Sequence, residues 1–230
     1  MKNKTFTIVC LLLTFLTFLN LSVSFYRVAS AVNMNTEEKV IVIDPGHGGE
    51  DGGAVAYDGT NEKDINLNIS LKLKEIFEKN GFKVIMTREE DTDLCDKNLN
   101  TVRERKRSDI IKRTEICNES QADLILSIHQ NFFEDSKYSG AQMFYGKQEG
   151  SKKLASILQS EIKTALQPTN KREIKEGDGI YILENSALPI VLIECGFISN
   201  HDELIKLKDE SYVNKLSAAI YTGVCKYLNS

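Results

Sequence analysis

The sequence has little histidine: three residues in 230. It has three prolines and no proline-rich stretch, internal repeat or low-complexity tail. That excludes a string of linked modules and leaves one folded unit. Zinc-motif spacing is missing among the five cysteines, and the chain is too large to need a disulfide framework. Cys10 lies in an apolar run, and Cys95, Cys117, Cys195 and Cys225 are expected to remain unpaired. Cys117 and Cys225 fall in helical patterns and read as buried small hydrophobes. The glycine-rich GHGGEDGG has no lysine after it in P-loop spacing, and it contains Glu50 and Asp51, so a phosphate cradle is disfavoured. Positive charge is also short. Without Lys2, Lys4 and Arg27, the 29 basic residues fall to 26 against 33 acidic ones, a net charge of 26 − 33 = −7. Such a balance argues against nucleic acid as a partner. The locally basic stretch Val102 to Arg113 reads as a solvated helix face.

What is present begins with an export signal. Lys2 and Lys4 precede a nearly continuous apolar run from Phe6 to Val23, and Ala29-Ser30-Ala31 is a small-residue cleavage pattern. Residues 1–31 therefore read as a signal peptide, with an uncleaved anchor as the rival, because the run is about long enough to span a bilayer. On either reading the remainder acts outside the cytoplasmic membrane, and residues 39–230 form the working domain.

Three apolar runs each end in a chemically useful side chain. Val40 to Ile43 is closed by Asp44-Pro45-Gly46 and followed by His47. Asp123 to Ile128 ends at His129, and Pro189 to Ile193 ends at Glu194. Strand ends are where open α/β sheets bind ligands. Between them, Ile65, Ile69, Leu73, Ile76 and Phe77 recur at helical spacing up to Asn80-Gly81, which puts Glu62 in a first helical turn. Further helices are expected over 108–119 and 151–166, and from about Ser211. Strands are expected over 82–87, 140–145 and 181–183. Residues 89–99 and 171–178 read as loops, and Gly196-Phe197 as a turn. Strands alternating with helices predict a single α/β domain: a mixed, largely parallel sheet with helices on both faces.

Two histidines and a carboxylate with one open position make a catalytic zinc site, here His47, Glu62 and His129. On position alone, Glu62 reads better as a capping or helix-dipole carboxylate. Glu194 is placed to move a proton between an attacking water and a leaving nitrogen. A thiol mechanism through Cys195 is disfavoured, because strand neighbours point to opposite faces. His201 reads as a solvated surface residue. Phe132-Phe133 is either a local hydrophobic anchor or part of a contact surface, with the anchor favoured.

The blocks IDPGHGGEDGGA at Ile43, NEKDINLNI at Asn61, ADLILSIHQN at Ala122 and VLIECGFISN at Val191 resemble the zinc-dependent N-acetylmuramoyl-L-alanine amidases of bacterial cell walls, amidase family 3. The resemblance implies zinc at His47, Glu62 and His129, reversing the positional judgement on Glu62, and a catalytic role for Glu194. It implies peptidoglycan as substrate, cut between N-acetylmuramic acid and L-alanine. Small size and the lack of wall-binding repeats resemble the short germination-specific or CwlD type, which strip stem peptides so that muramic δ-lactam can form in spore cortex. Arg88, Arg113 and Asn131 are candidates for reading the glycan, and an exported accessory protein is a candidate partner at Phe132-Phe133. The competing readings are a non-catalytic wall-binding or regulatory protein on the same fold, and a zinc peptidase.

Overall fold

A computed structural model describes residues 38–230, and the expected export segment lies outside them. Six strands form one sheet: β1 (Val40–Pro45), β2 (Lys83–Met86), β3 (Leu124–Asn131), β4 (Gln142–Tyr145), β5 (Lys175–Glu176) and β6 (Ile190–Phe197). Their order is β2-β1-β3-β6-β4-β5. Every pairing is parallel except β4 with β6. The expected mixed, largely parallel sheet is therefore found.

The helices are α1 (Glu62–Lys79), α2 (Val102–Glu119), α3 (Ser151–Ala165), α4 (Tyr181–Asn185), α5 (His201–Lys208) and α6 (Glu210–Leu228). Alternation along the strands sorts the core into two layers. Ile41, Ile43, Leu126, Ile128, Val191 and Ile193 pack with Ile69, Leu158 and Ile220 of α1, α3 and α6. Val42, Ile125, Ile190 and Leu192 face Cys117 of α2 and Ile182 and Leu183 of α4. Each such aliphatic side chain contributes about 1.5–3 kcal/mol on burial. Helices therefore cover both faces, and no described helix is long and apolar enough to cross a membrane.

Several boundaries differ from expectation. α2 starts at Val102, six residues early, because Thr101 and Glu104 form a reciprocal capping box. Residues 181–183 are helical: three apolar residues are too few to show a period, and β5 already occupies the sheet edge beside β4. β5 itself falls inside an expected loop. β6 runs through Gly196-Phe197 instead of turning there, and β3 carries on through His129. All four described cysteines are free; Cys225 is only half-buried, unlike the enclosed Cys117.

Candidate metal centre

β1 delivers the chain to the carboxyl edge of the sheet, and Gly46 turns it against β3. The Gly46 N–H donates to the Ile128 oxygen at 2.9 Å. A Cβ on Gly46 would lie 2.2 Å from Cε1 and Nε2 of His129, so only glycine lets the first loop approach that ring. His47 follows with φ of 62°, a left-handed backbone uncommon for a side-chain-bearing residue.

Two buried guanidinium groups hold this turn from beneath. Arg113 donates to the backbone oxygens of Pro45 (2.7 Å) and His47 (2.6 Å) and to Asp44 Oδ1 (2.9 Å). Arg88 donates to the oxygens of Pro45 (3.0 Å) and Gly46 (3.1 Å). Burial works against the charge on Asp44, but Arg113, Thr87, His129 and Ser127 outweigh it and hold its carboxyl below the usual range. Arg113 is only 1% exposed. The expectation that Arg88 and Arg113 read a glycan is therefore corrected: both are enclosed and engaged with the loop's own carbonyls.

The basic stretch of α2 is a solvated face only in part: Arg103, Lys106 and Arg107 are exposed, but the stretch also holds the glycine loop. Arg105 grips Glu50 through two hydrogen bonds, of 2.6 and 2.9 Å, and Lys106 pairs with Asp51 at 2.7 Å. From the other side, Asp91 accepts the Gly49 N–H at 2.8 Å and Lys63 donates to the Gly49 oxygen at 2.7 Å. The acidic segment 89–99, expected as a plain surface loop, thus packs on the glycine loop.

Glu62, in the first turn of α1, stands between the two imidazoles. Its Oε1 lies 3.0 Å from His129 Nδ1, and its Oε2 lies 3.3 Å from His47 Nε2. The N–H groups of Gln130 and Ala54, each at 3.0 Å, fix one oxygen apiece. Burial raises the Glu62 pKa, but the two rings more than reverse this and carry it well below the usual carboxylate range. His47 Nδ1 donates to Asp51 Oδ2 at 2.8 Å, which leaves Nε2 facing Glu62. Burial pulls His47 down, yet the hydrogen bonds to Asp51 and Glu62 lift it to about 9. One ligand-type atom from each of His47, Glu62 and His129 lies within 4.8 Å of the others. The fold thus brings together residues from β1, α1 and β3. Asp51, four residues after His47, was missed in sequence; its place inside the same glycine loop was the available signal.

Glu194 is the register partner of His129 across β3 and β6, so both project from the same face of the sheet. Its Oε2 is buried and makes no hydrogen bond. Burial, reinforced by Glu62 and opposed by His129 and His47, raises it to about 7. A buried carboxylate oxygen without a donor, next to a convergent N₂O set, fits a site that takes a cation and a polar substrate. Asn131 is half-buried at the irregular end of β3. Cys195 points into the opposite core layer, where burial raises its thiol, so it is no nucleophile. His201 opens α5 and stacks on Tyr57 at 5.1 Å, outside the cluster.

This arrangement recurs in known proteins. The N-acetylmuramoyl-L-alanine amidase family pattern matches residues 41–226. The germination-specific N-acetylmuramoyl-L-alanine amidase of Bacillus subtilis is 40% identical over 190 residues, covering 82% of this chain and 79% of that protein. The structure of the CwlD amidase from Clostridioides difficile, solved in complex with the GerS lipoprotein, is 48% identical with a TM-score of 0.81. It covers 84% of this chain and 99% of that one. A second amidase, from Clostridium difficile 630, is 30% identical with a TM-score of 0.73, covering 85% and 99%. With the fold, the four-residue constellation and the match over nearly all the described chain in agreement, the protein belongs to the N-acetylmuramoyl-L-alanine amidase family and is an amide hydrolase of that kind.

Proposed function

We propose that residues 39–230 form a zinc amidase domain that cuts peptidoglycan between the lactyl group of N-acetylmuramic acid and the L-alanine of the stem peptide. The observation that carries this is Glu62 shared between His47 and His129, with the undonated Oε2 of Glu194 beside them. His47 through Nε2, His129 through Nδ1 and Glu62 would hold the metal, and two imidazoles with one carboxylate suit zinc. The chemistry zinc supplies there is Lewis acidity toward a carbonyl oxygen and toward water.

The chain's own residues do the rest. Asp51 keeps the His47 proton on Nδ1, and the Gln130 and Ala54 N–H groups aim the Glu62 carboxylate. Glu194 accepts a proton from the attacking water and delivers it to the leaving alanine nitrogen; its buried setting, which favours the protonated form, suits that exchange. Asn131, at the end of β3, contacts the substrate near His129.

The biological setting proposed is maturation of spore cortex, where removal of stem peptides leads to muramic δ-lactam. The likeness to a germination-specific amidase supports it. Residues 1–31 would export the chain across the cytoplasmic membrane, to the forespore intermembrane space. An exported accessory protein belongs to the same reading: the similar Clostridioides difficile amidase was solved with a lipoprotein, and Phe132 and Phe133 stand 48% and 52% exposed. Serine at both positions should weaken such a partner's binding; unchanged binding removes this loop from the interface.

The deciding experiment is mass spectrometry of peptidoglycan treated with the full-length protein, with zinc and with a chelator. Muramic residues with a free lactyl carboxylate, and peptides with a free L-alanine amine, should form only with zinc. Cuts inside the peptide would make the enzyme a peptidase. Glu194→Gln should keep zinc and lose turnover, whereas His129→Ala should lose both. Zinc loss in the first variant contradicts the assigned roles.

A further inference from the structure

Past the end of β6 and before the start of β4, two loops and α5 enclose a groove of about 530 Å3. Lys137, Lys171, Arg172 and Lys206 line it, against Asp202 and Glu203. The two acids do not cancel the four cations. Glu203 is spent on the backbone N–H groups of Gly140, at 2.9 Å, and Phe197, at 2.8 Å. Asp202 projects to solvent. Lys137 pairs with Asp135 at 2.6 Å, but Lys171 and Lys206 form no ion pair among the described residues. In a chain with an acidic excess, this is a local reversal of sign.

Arg172 is the fixed member of the group. Its guanidinium lies 4.2 Å from the centroid of Phe197 and 6.0 Å from that of Tyr138. Nε donates to the Ser139 oxygen at 2.8 Å, and Nη1 to Gln142 Oε1 at 3.1 Å. These supports reach the reacting edge directly. Phe197 is the register partner of Asn131, and Gln142 is the register partner of Glu194. One more aromatic contact, Phe133 with Tyr138 at 4.7 Å, continues the wall back toward the end of β3.

We propose that this groove is the subsite for the carboxylates of the stem peptide, with Arg172 as the residue that sets their position. The inference rests on the amidase reading and deepens it. An enzyme that releases a peptide starting at L-alanine must hold two arms of its substrate. The glycan arm offers hydroxyl and acetamido groups, which carry no charge. The peptide arm continues into residues with free carboxylates, and that is the arm four cations fit. A planar guanidinium backed by an aromatic face and pinned at two nitrogens is pre-set to bind a carboxylate, at little cost in side-chain entropy.

The test measures binding and turnover separately, on the full-length zinc-loaded protein. Calorimetry with a soluble stem tripeptide, L-Ala-γ-D-Glu-diaminopimelate, and with its amidated form needs no catalysis. The native protein should prefer the free carboxylates by roughly tenfold, the scale of one charge-assisted hydrogen bond. Arg172→Met should erase that preference, and Arg172→Lys should restore part of it. On muropeptides the same variant should raise KM for the carboxylate substrate, with the loss falling on KM rather than kcat. Lys206→Met, at an exposed position, should lower affinity to a smaller extent and guards against a folding failure at Arg172. Equal affinity for both peptides, or equal loss on both in Arg172→Met, overturns the groove assignment while leaving the amidase intact. Tighter binding of inorganic phosphate than of the peptide would also overturn it, pointing to a phosphate-bearing wall polymer. Peptide discrimination without cleavage of any muramyl amide would instead sink the amidase reading.

Discussion

Arg113 donates a hydrogen bond of 2.6 Å to the backbone oxygen of His47, a residue 66 positions earlier in the chain. The imidazole reaches the cluster only because its backbone adopts φ of 62°, and such a conformation persists where its surroundings over-determine it. The interior of α2 therefore sets the geometry of a residue it does not resemble in role.

Arg113→Met should leave Asp44 buried without its cation and cost about 3–5 kcal/mol of stability. Arg113→Lys restores charge but not the planar fork that reaches Asp44, Asp109 and the oxygens of Pro45 and His47 together. It should recover part of the melting temperature while zinc affinity stays reduced. Thermal melts and zinc titrations of the two variants check this; native zinc affinity in Arg113→Lys would remove the positioning role.

Gly46→Ala tests the approach of the loop to the second imidazole. The new methyl would sit 2.2 Å from His129 Cε1, so the ring must move. The fold should survive by circular dichroism, with zinc affinity down at least tenfold. Gly59→Ala is the control: its φ is +86° with nothing within 4 Å, so only backbone strain of about 1 kcal/mol is expected and zinc binding should hold. Similar zinc affinities in the two variants would contradict the steric argument.

Glu194 gives a pH signature in the metal-free protein. Burial raises its folded pKa to about 7 from an ordinary 4.5. The folded state thus binds this proton more tightly than the unfolded one. The destabilisation is absent below about pH 4.5, grows up to about pH 7 and is constant above, reaching about 3 kcal/mol at about 1.4 kcal/mol per unit. With a chelator present, Glu194→Gln should melt higher than the native protein at pH 8 and level with it at pH 4. Equal melts at pH 8 would show that the carboxylate is not held in a desolvated place.

The strands that carry His129 and Glu194, and the one that leads to His47, were legible because continuous apolar runs mark buried parallel strands. Glu62 was placed correctly on its helix but not in its role, since a first-turn carboxylate looks the same whether it caps a helix or meets two imidazoles. The basic run 102–113 was only half understood for a related reason. Charge periodicity cannot tell water from a folded-back loop, and Glu50, Asp51 and Asp44 lie far away in sequence. The 181–183 segment failed because a short apolar run fits helix and strand alike. Arg172 meets Tyr138 and Phe197 from far along the chain, which no local pattern encodes.

The strand order β2-β1-β3-β6-β4-β5 also dictates when the molecule can be finished. β6 lies at the heart of the sheet but is the last strand in the chain. Until Phe197 is available, β3 and β4 have no partner between them and each presents an open hydrogen-bonding edge. β6 meets β3 and β4 only across long stretches of chain, as in Ile125 with Ile190 and Gln142 with Glu194, which makes folding slow relative to a protein built from local contacts. Chains that have not yet gained β6 are thus the aggregation-prone form. The same late closure makes an intact C-terminal third the condition for Glu194 to meet His129.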